Sequence, residues 1–159
     1  MINKLKQLLE AGTIGQDEAQ ELSSLPDGST VNRHIYLSFD HLESLPNNLT
    51  VNGGLSLLGC TPIDTLPSGL IVTGSLGLTG TNIKKLPPDL IVGQQLQLSG
   101  TECNPFSTLD VDCDTIVWLE LEFVNQYYQL VKSGKLRKAQ AKLKLSDAVY
   151  DAGMGHLLK

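Results

Sequence analysis

The 159-residue chain is poor in aromatic residues, which make up only 5% of it. So few rings do not support nucleic-acid binding by base stacking as a general strategy. Charged residues are also scarce, at 18%, and 17 acids against 12 bases give a formal charge of −5. This balance argues against a basic nucleic-acid binder overall, but it leaves room for a local basic patch.

The chain also lacks a run of the roughly 20 apolar residues that a membrane span needs. Its start, MINKLKQLLEAG, has no apolar core of the kind found in a secretory signal. Its odd number of cysteines includes no C-x-x-C pair, which predicts free thiols in a reducing cytoplasm. The scattered histidines form no zinc pattern. We therefore expect a cytoplasmic protein with no metal, cofactor or membrane contact. The residues concerned are Cys60, Cys103, Cys113, His34, His41 and His156.

What the chain does have is a repeat. A Leu-Pro dipeptide recurs with spacings of 20, 21 and 20 residues, beginning at Leu25, Leu45, Leu66 and Leu86. The clearest unit, 66–85, reads LPSGLIVTGSLGLTGTNIKK. It contains two short stretches that alternate with period two, around Ile71 and around Gly77, and such alternation is typical of strands with one buried side. Stacked copies would bury a continuous column of Leu and Val, with Gly and Pro at the corners.

This pattern resembles the leucine-rich-repeat family, in a short form found in bacterial and phage proteins. The family core LxLxx(N/T/C)xL is matched most clearly in the third repeat and less fully in its neighbours. The matching residues are Leu76, Leu78, Thr81 and Ile83; Leu96, Leu98, Thr101 and Cys103; and Ile35, Leu37, Asp40 and Leu42. The resemblance implies an α/β-type repeat protein, a short β-solenoid of about four and a half repeats with helical caps at both ends.

Within that solenoid, the side chains of Asp40, Thr81 and Thr101 are expected to satisfy backbone groups inside the turn. Cys103 takes the place of Ile83 and is expected to be buried. Cys60 sits beside an extra residue in the second repeat, so the sequence allows it to be exposed.

The repeats divide the chain into an N-terminal helical cap (1–24), a solenoid (25–113) and a C-terminal helical subdomain (114–159). Helical spacing at Ile2, Leu5, Leu8 and Leu9 predicts a first cap helix, and 16–23 predicts a second. In the third part, Trp118, Leu121, Val124, Tyr128 and Val131 suit one helical face. Apolar and acidic residues alternate over 119–123, so the segment could instead begin as a strand. A further helix is predicted with Leu136, Ala139 and Leu143 on one side, followed by a Ser146 cap and a break at Gly153.

Two outward surfaces follow from the repeat register. One sheet presents Tyr36, Leu58, Thr79 and Gln97 on a smooth, nearly uncharged face. The other sheet presents an outward column of Thr30, Thr50, Ile71, Ile91 and Asp110, the last from a fifth half-repeat, Leu109-Asp110-Val111. The adjacent isoleucines of this column form an apolar patch. Either the C-terminal helices cover this patch, or else a partner or a second copy covers it.

Charge is segregated near the C-terminus, where 102–122 hold six acids and no base, and 132–144 hold six bases and no acid. Either these blocks pair with each other or simply face solvent, or the basic one is a docking surface for an acidic partner or a phosphate backbone. The candidate docking residues are Lys135, Arg137, Lys138 and Lys142.

No motif supports catalysis: Cys113-Asp114-Thr115 is not a Cys-x-Asp motif, and the Gly-rich stretches lack the Lys-Ser/Thr of a phosphate loop. We therefore expect a non-enzymatic module that occludes a bacterial protein partner. Nucleic-acid binding through the basic segment is one alternative. Self-assembly through Ile71, Ile91 or Trp118, for example as a homodimer, is another. The family resemblance implies, as one version of the first function, a phage inhibitor of a host or antiphage-defence enzyme.

Overall fold

A computed structural model describes residues 18–159 as a parallel β-solenoid of about four turns with short flanking helices. The helix expected over Ile2 to Leu9 lies outside the described residues. Helix α1 covers Glu18–Ser24, close to the predicted second cap helix, and buries Ala19 and Leu22.

Four turns of the solenoid each contribute one strand to each of two long sheets, and one further strand extends the front sheet. The strands are β1 Thr30–Val31, β2 Ile35–Ser38, β3 His41–Leu42, β4 Thr50–Val51, β5 Leu55–Leu58, β6 Thr61–Pro62, β7 Ile71–Val72, β8 Leu76–Gly77, β9 Ile91–Val92, β10 Gln95–Gln97 and β11 Thr115–Val117. The front sheet has the strand order β11-β10-β8-β5-β2, and the back sheet has the order β1-β4-β7-β9. A third sheet pairs β3 with β6, and all the pairings are parallel.

The predicted period of two decides which side chains enter the core. In β5, Leu55 and Leu57 are buried while Ser56 between them faces outward. The same register stacks Leu76 on Leu55 and Leu96 on Leu76. A strand of two to four residues is not stable alone, so this shared column of apolar side chains is what holds the repeats together.

The corners after β2, β8 and β10 are each closed by a side chain, as expected. Thr81 and Thr101 are buried and donate hydrogen bonds of 2.7 Å to Leu78 O and Leu98 O. Asp40 Oδ2 accepts the Ser38 N–H at 2.8 Å. Cys60 takes the equivalent place in the second repeat and is fully buried, so the exposure that its sequence position allowed does not occur. The extra residue falls after it, at Thr61-Pro62, and leaves the thiol inside.

The last turn departs from the predicted register. Asp112, and not Asp110, pairs with Ile91 on the back sheet. The cause is a 3-10 helix over Pro105–Asp110, started by Asn104, whose side chain accepts the Phe106 N–H at 2.9 Å. This helix takes up the residues that the half-repeat prediction assigned to a strand. The front sheet then continues past residue 113 through β11.

Both readings of the C-terminal segment are partly correct. β11 and a 3-10 helix over Leu119–Leu121 come first, and helix α2 follows over Phe123–Lys132. Gly134, with a φ of +76°, follows the end of α2.

Helix α3 runs over Lys138–Asp151 and precedes a third 3-10 helix at Gly155–Leu158. Its buried face is Ala141, Leu145 and Val149. The predicted face is therefore wrong: Ala139 is exposed, Leu143 is 71% exposed, and Leu136 is only partly buried. Helix α3 carries two apolar stripes, and its packing against α2 and the Pro105–Asp110 helix buries the stripe of Ala141, Leu145 and Val149.

The predicted cap at Ser146 is wrong, whereas the predicted break at Gly153 is correct. Ser146 lies inside α3 and caps nothing. The predicted break at Gly153 is confirmed by a φ of +75°.

A buried tyrosine fastens α2 to the last turn. The Tyr128 hydroxyl accepts the Cys113 N–H at 2.9 Å and lies 3.0 Å from both Val111 O and Cys113 O. It therefore completes backbone hydrogen bonding where no further strand follows. No helix among the described residues combines the length and apolarity needed to span a bilayer.

Candidate functional site

The outward side of the front sheet, here called the front face, is broad and free of formal charge. It offers three outward positions on each of five rungs, and each of them is exposed or half-buried. These positions are His34, Tyr36, Ser38, Gly54, Ser56, Leu58, Ser75, Gly77, Thr79, Gln95, Gln97, Ser99, Thr115, Val117 and Leu119. The structure thus brings together Tyr36, Leu58, Thr79 and Gln97, as the sequence predicted.

A shallow groove of about 370 Å³ crosses the middle of this face. It exists because Gly54 and Gly77 carry no side chain between flanking polar residues. The Ser56 hydroxyl and the Gln97 amide lie 3.5 and 3.7 Å from where a Cβ of Gly77 would stand. The floor at Gly74 cannot be filled, since a Cβ there would lie 2.8 Å from Gly53 C and from Gly54 N.

Two stacked rings border the groove at the first repeat. His34 and Tyr36 lie 5.9 Å apart between ring centroids with an interplanar angle of 17°. The Gly54 N–H donates to His34 Nδ1 at 2.8 Å, which leaves the ring proton on Nε2. Tyr36 is 69% exposed. A fixed aromatic surface therefore stands at the edge strand, where contact with a partner loses little side-chain freedom.

Phe39 is a candidate residue that the sequence prediction missed. It follows β2 at a φ of +58°, in the left-handed region that a bulky residue rarely adopts. The equivalent corners of the next three repeats are glycines, with φ of 63°, 72° and 72°: Gly59, Gly80 and Gly100. Aligning the repeats would have revealed the aromatic residue in a glycine position.

The Phe39 ring lies against Gly59, whose Cβ would stand 2.5 Å from it, yet the side chain remains 78% exposed. An exposed ring held in an unfavourable backbone conformation contributes little to the core. Such outliers concentrate at binding sites.

The predicted patch on the back sheet is small, and residues 18–159 leave it partly exposed. Ile71 and Ile91 do pair side by side, but the C-terminal helices pack on β11 and on the Pro105–Asp110 helix instead of over them. Ile91 remains 41% exposed between Ile71 and Asp112. Of the two alternatives for this patch, cover by the C-terminal helices is therefore wrong, while cover by a partner or a second copy stays a prediction. Two isoleucines provide only a small apolar area.

Some bases of the basic segment, 132–144, make contacts within the fold and others make no ion pair among the described residues. Lys138 Nζ lies 2.7 Å from Asp110 Oδ1, so part of the predicted pairing between charge blocks occurs. Lys132 donates to Cys113 O and lies over the Tyr128 ring, 5.8 Å from its centroid. Lys135, Arg137 and Lys142 are exposed, and no carboxylate within 18–159 forms an ion pair with them.

The remaining reactive or apolar candidates are inside the fold. Trp118 is 2% exposed and continues the inward column of the front sheet, so it cannot serve self-assembly. Burial raises the pKa of Cys60 and Cys113 and raises that of Cys103 to about 11, which disfavours the nucleophilic thiolate. Within the described range, His, Cys, Asp and Glu side chains form no group of three that could hold a metal ion.

Comparison with known proteins adds no relative: no protein-family model, no curated protein and no solved structure is significantly similar to this chain.

Proposed function

We propose that this chain is a non-enzymatic binding protein that occludes a surface of one bacterial protein, with the front face as its docking surface. The observation that carries the proposal is a face without formal charge, left open by residues 18–159 and bordered by the exposed rings of Tyr36 and Phe39. A surface without charges costs less free energy to desolvate than a charged one, and tyrosine is enriched among the few residues that dominate the binding energy of protein interfaces.

The dimensions of the sheet constrain how the partner docks. Five strands spaced about 4.8 Å apart, with about five residues along each, give a planar footprint of about 400 Å². A standard interface takes about 800 Å² from each partner. The corners that flank the sheet must therefore take part, and they carry Phe39 at one end and the exposed Leu119 at the other.

The repeat pattern supports a choice of target. Leu-Pro repeats of this form are typical of bacterial and phage proteins, and an occluding module of this size suits inhibition of a bacterial or antiphage-defence enzyme. The proposal places the partner in the bacterial cytoplasm, where the three free thiols stay reduced.

The proposal is tested by capture from nuclease-treated bacterial lysate at moderate salt, with two matched variants. Ser56→Arg places a charge at the centre of the front face. Thr50→Arg places the same charge on the back sheet, at a residue that is also half-buried and outward-facing. We expect one stoichiometric protein to be captured by the wild type and by Thr50→Arg, and to be lost with Ser56→Arg. Loss with Thr50→Arg alone would move the site to the back sheet and contradict the proposal.

The same experiment separates the two alternatives. Nucleic-acid binding predicts that capture falls steeply with salt and is abolished by combined Lys135→Gln, Arg137→Gln and Lys142→Gln substitutions. Self-assembly predicts a dimer in light scattering that Ile71→Asp or Ile91→Asp converts to a monomer. Either result would replace the front-face proposal if no protein is captured whose binding Ser56→Arg abolishes.

A further inference from the structure

A second cavity, of about 500 Å³, lies away from the front face. The third and fourth repeats form one wall, and the 3-10 helix at Gly155–Leu158 forms another. Its polar lining is Lys84, Lys85, Glu102, Asn104, His156 and Lys159.

The charge of this cavity is opposite to that of the whole chain. Three lysines face one glutamate, in a protein whose formal charge is −5. Glu102 is already engaged, with Oε2 lying 2.9 Å from His156 Nε2. None of the three lysines has an ion-pair partner among residues 18–159.

The positions of the lining residues are set by the fold. The Asn104 N–H donates to Lys84 O at 2.8 Å, and the Asn104 side chain caps the Pro105–Asp110 helix. The contact between His156 and Glu102 bridges residues 54 apart in the chain and ties the 3-10 helix to the fourth repeat. These contacts hold the solenoid wall of the cavity and the 3-10 helix against each other.

We propose that this cavity binds a small ligand with a multiply charged phosphate chain, recognised by its charge. Lysine ammonium groups are compact donors that suit phosphate oxygens. The volume lies in the range of small-molecule sites. The lining offers Leu157 as its apolar contact, and His156 is its only aromatic ring, so it has little with which to hold a nucleobase. Glu102 opposes the bound charge and limits the affinity.

The test is calorimetric titration of the full chain with tripolyphosphate at low salt. We expect saturable binding of one tripolyphosphate per chain. Lys84→Gln combined with Lys85→Gln should weaken binding about tenfold, because each exposed ion pair strengthens binding by roughly threefold. The control, Lys142→Gln combined with Lys144→Gln, removes the same charge from α3 and should change the affinity less than about twofold. Glu102→Gln should strengthen binding about threefold by the same estimate.

A second titration, with ATP, distinguishes the source of the phosphate chain. Equal affinity for ATP and tripolyphosphate supports recognition of the phosphates alone. A tenfold preference for ATP would overturn the assigned ligand class, since the lining provides little for the base. Absence of binding, equal losses in both double lysine variants, or unchanged affinity in Glu102→Gln would overturn the site. Because Lys84 and Lys85 are exposed, far-UV circular dichroism of each variant should match the wild type.

Discussion

Replacing Phe39 with glycine should separate the binding role of this residue from any role in folding. Returning the corner to the residue type of the other repeats relieves the left-handed conformation, which costs a non-glycine residue about 1–2 kcal/mol. About a fifth of the surface of Phe39 is buried, so truncating the residue forfeits roughly 1 kcal/mol of apolar burial. The freedom of glycine in the unfolded chain costs about a further 0.5 kcal/mol.

These contributions nearly cancel, so the free energy of unfolding of Phe39→Gly should stay within about 0.5 kcal/mol of the wild type. The control is Leu37→Ala in the preceding strand β2, where truncation of a buried side chain should cost about 2–5 kcal/mol. Urea unfolding followed by the fluorescence of Trp118, the single tryptophan, measures both.

The affinity of Phe39→Gly for the captured partner should fall at least about tenfold, the effect of losing 1.4 kcal/mol. A stability loss above about 1.5 kcal/mol, or an unchanged affinity, would refute this account of Phe39.

Three further predictions concern the fold. Gly74→Ala should lower the free energy of unfolding by about 1–3 kcal/mol, because its Cβ would meet backbone atoms of the neighbouring repeat at 2.8 Å, whereas Gly77→Ala should be nearly neutral in the same urea assay. Leu145→Ala should cost about 2–5 kcal/mol and Leu143→Ala less than about 0.5 kcal/mol; equal losses would contradict the packing of α3. Cys103, with its pKa raised by burial from an ordinary 9.0 to about 11, should alkylate at pH 8 at least about a hundredfold more slowly than a free thiol in peptide mass spectrometry. Because the unfolded thiol ionises first, this shift also predicts that stability is lost as pH rises from about 9 to 11, and a gain there would contradict it.

The repeat period predicted most of the solenoid because it reports a physical necessity. Alternating Leu and Val must face one way in every copy, so register and the inward columns followed directly, as at Leu55 and Leu76. The outward positions of Tyr36 and Gln97 in one column of the front face, and of Leu58 and Thr79 in the flanking column, followed from the same reasoning, because outward positions are fixed once the inward ones are known.

The predictions that were wrong concern places where one local signal competed with another. The Pro105–Asp110 helix begins at an Asn-Pro pair and displaced the expected strand, moving the back-sheet position from Asp110 to Asp112. Helix α3 has two apolar stripes, and only tertiary packing decides that Leu145 is buried and Leu143 is not. Phe39 was missed because a single aromatic residue carries no periodic signal until its corner is compared with the glycines of the other repeats.

The most direct test of the central claim is hydroxyl-radical footprinting of the chain with and without its captured partner. If the partner docks on the front face, Tyr36, Phe39 and Leu58 should lose reactivity in the complex, while the exposed Leu143 and Tyr150 on α3 should keep theirs. Protection of Leu143 and Tyr150 with the front face still reactive would place the partner on the C-terminal helices and contradict the claim.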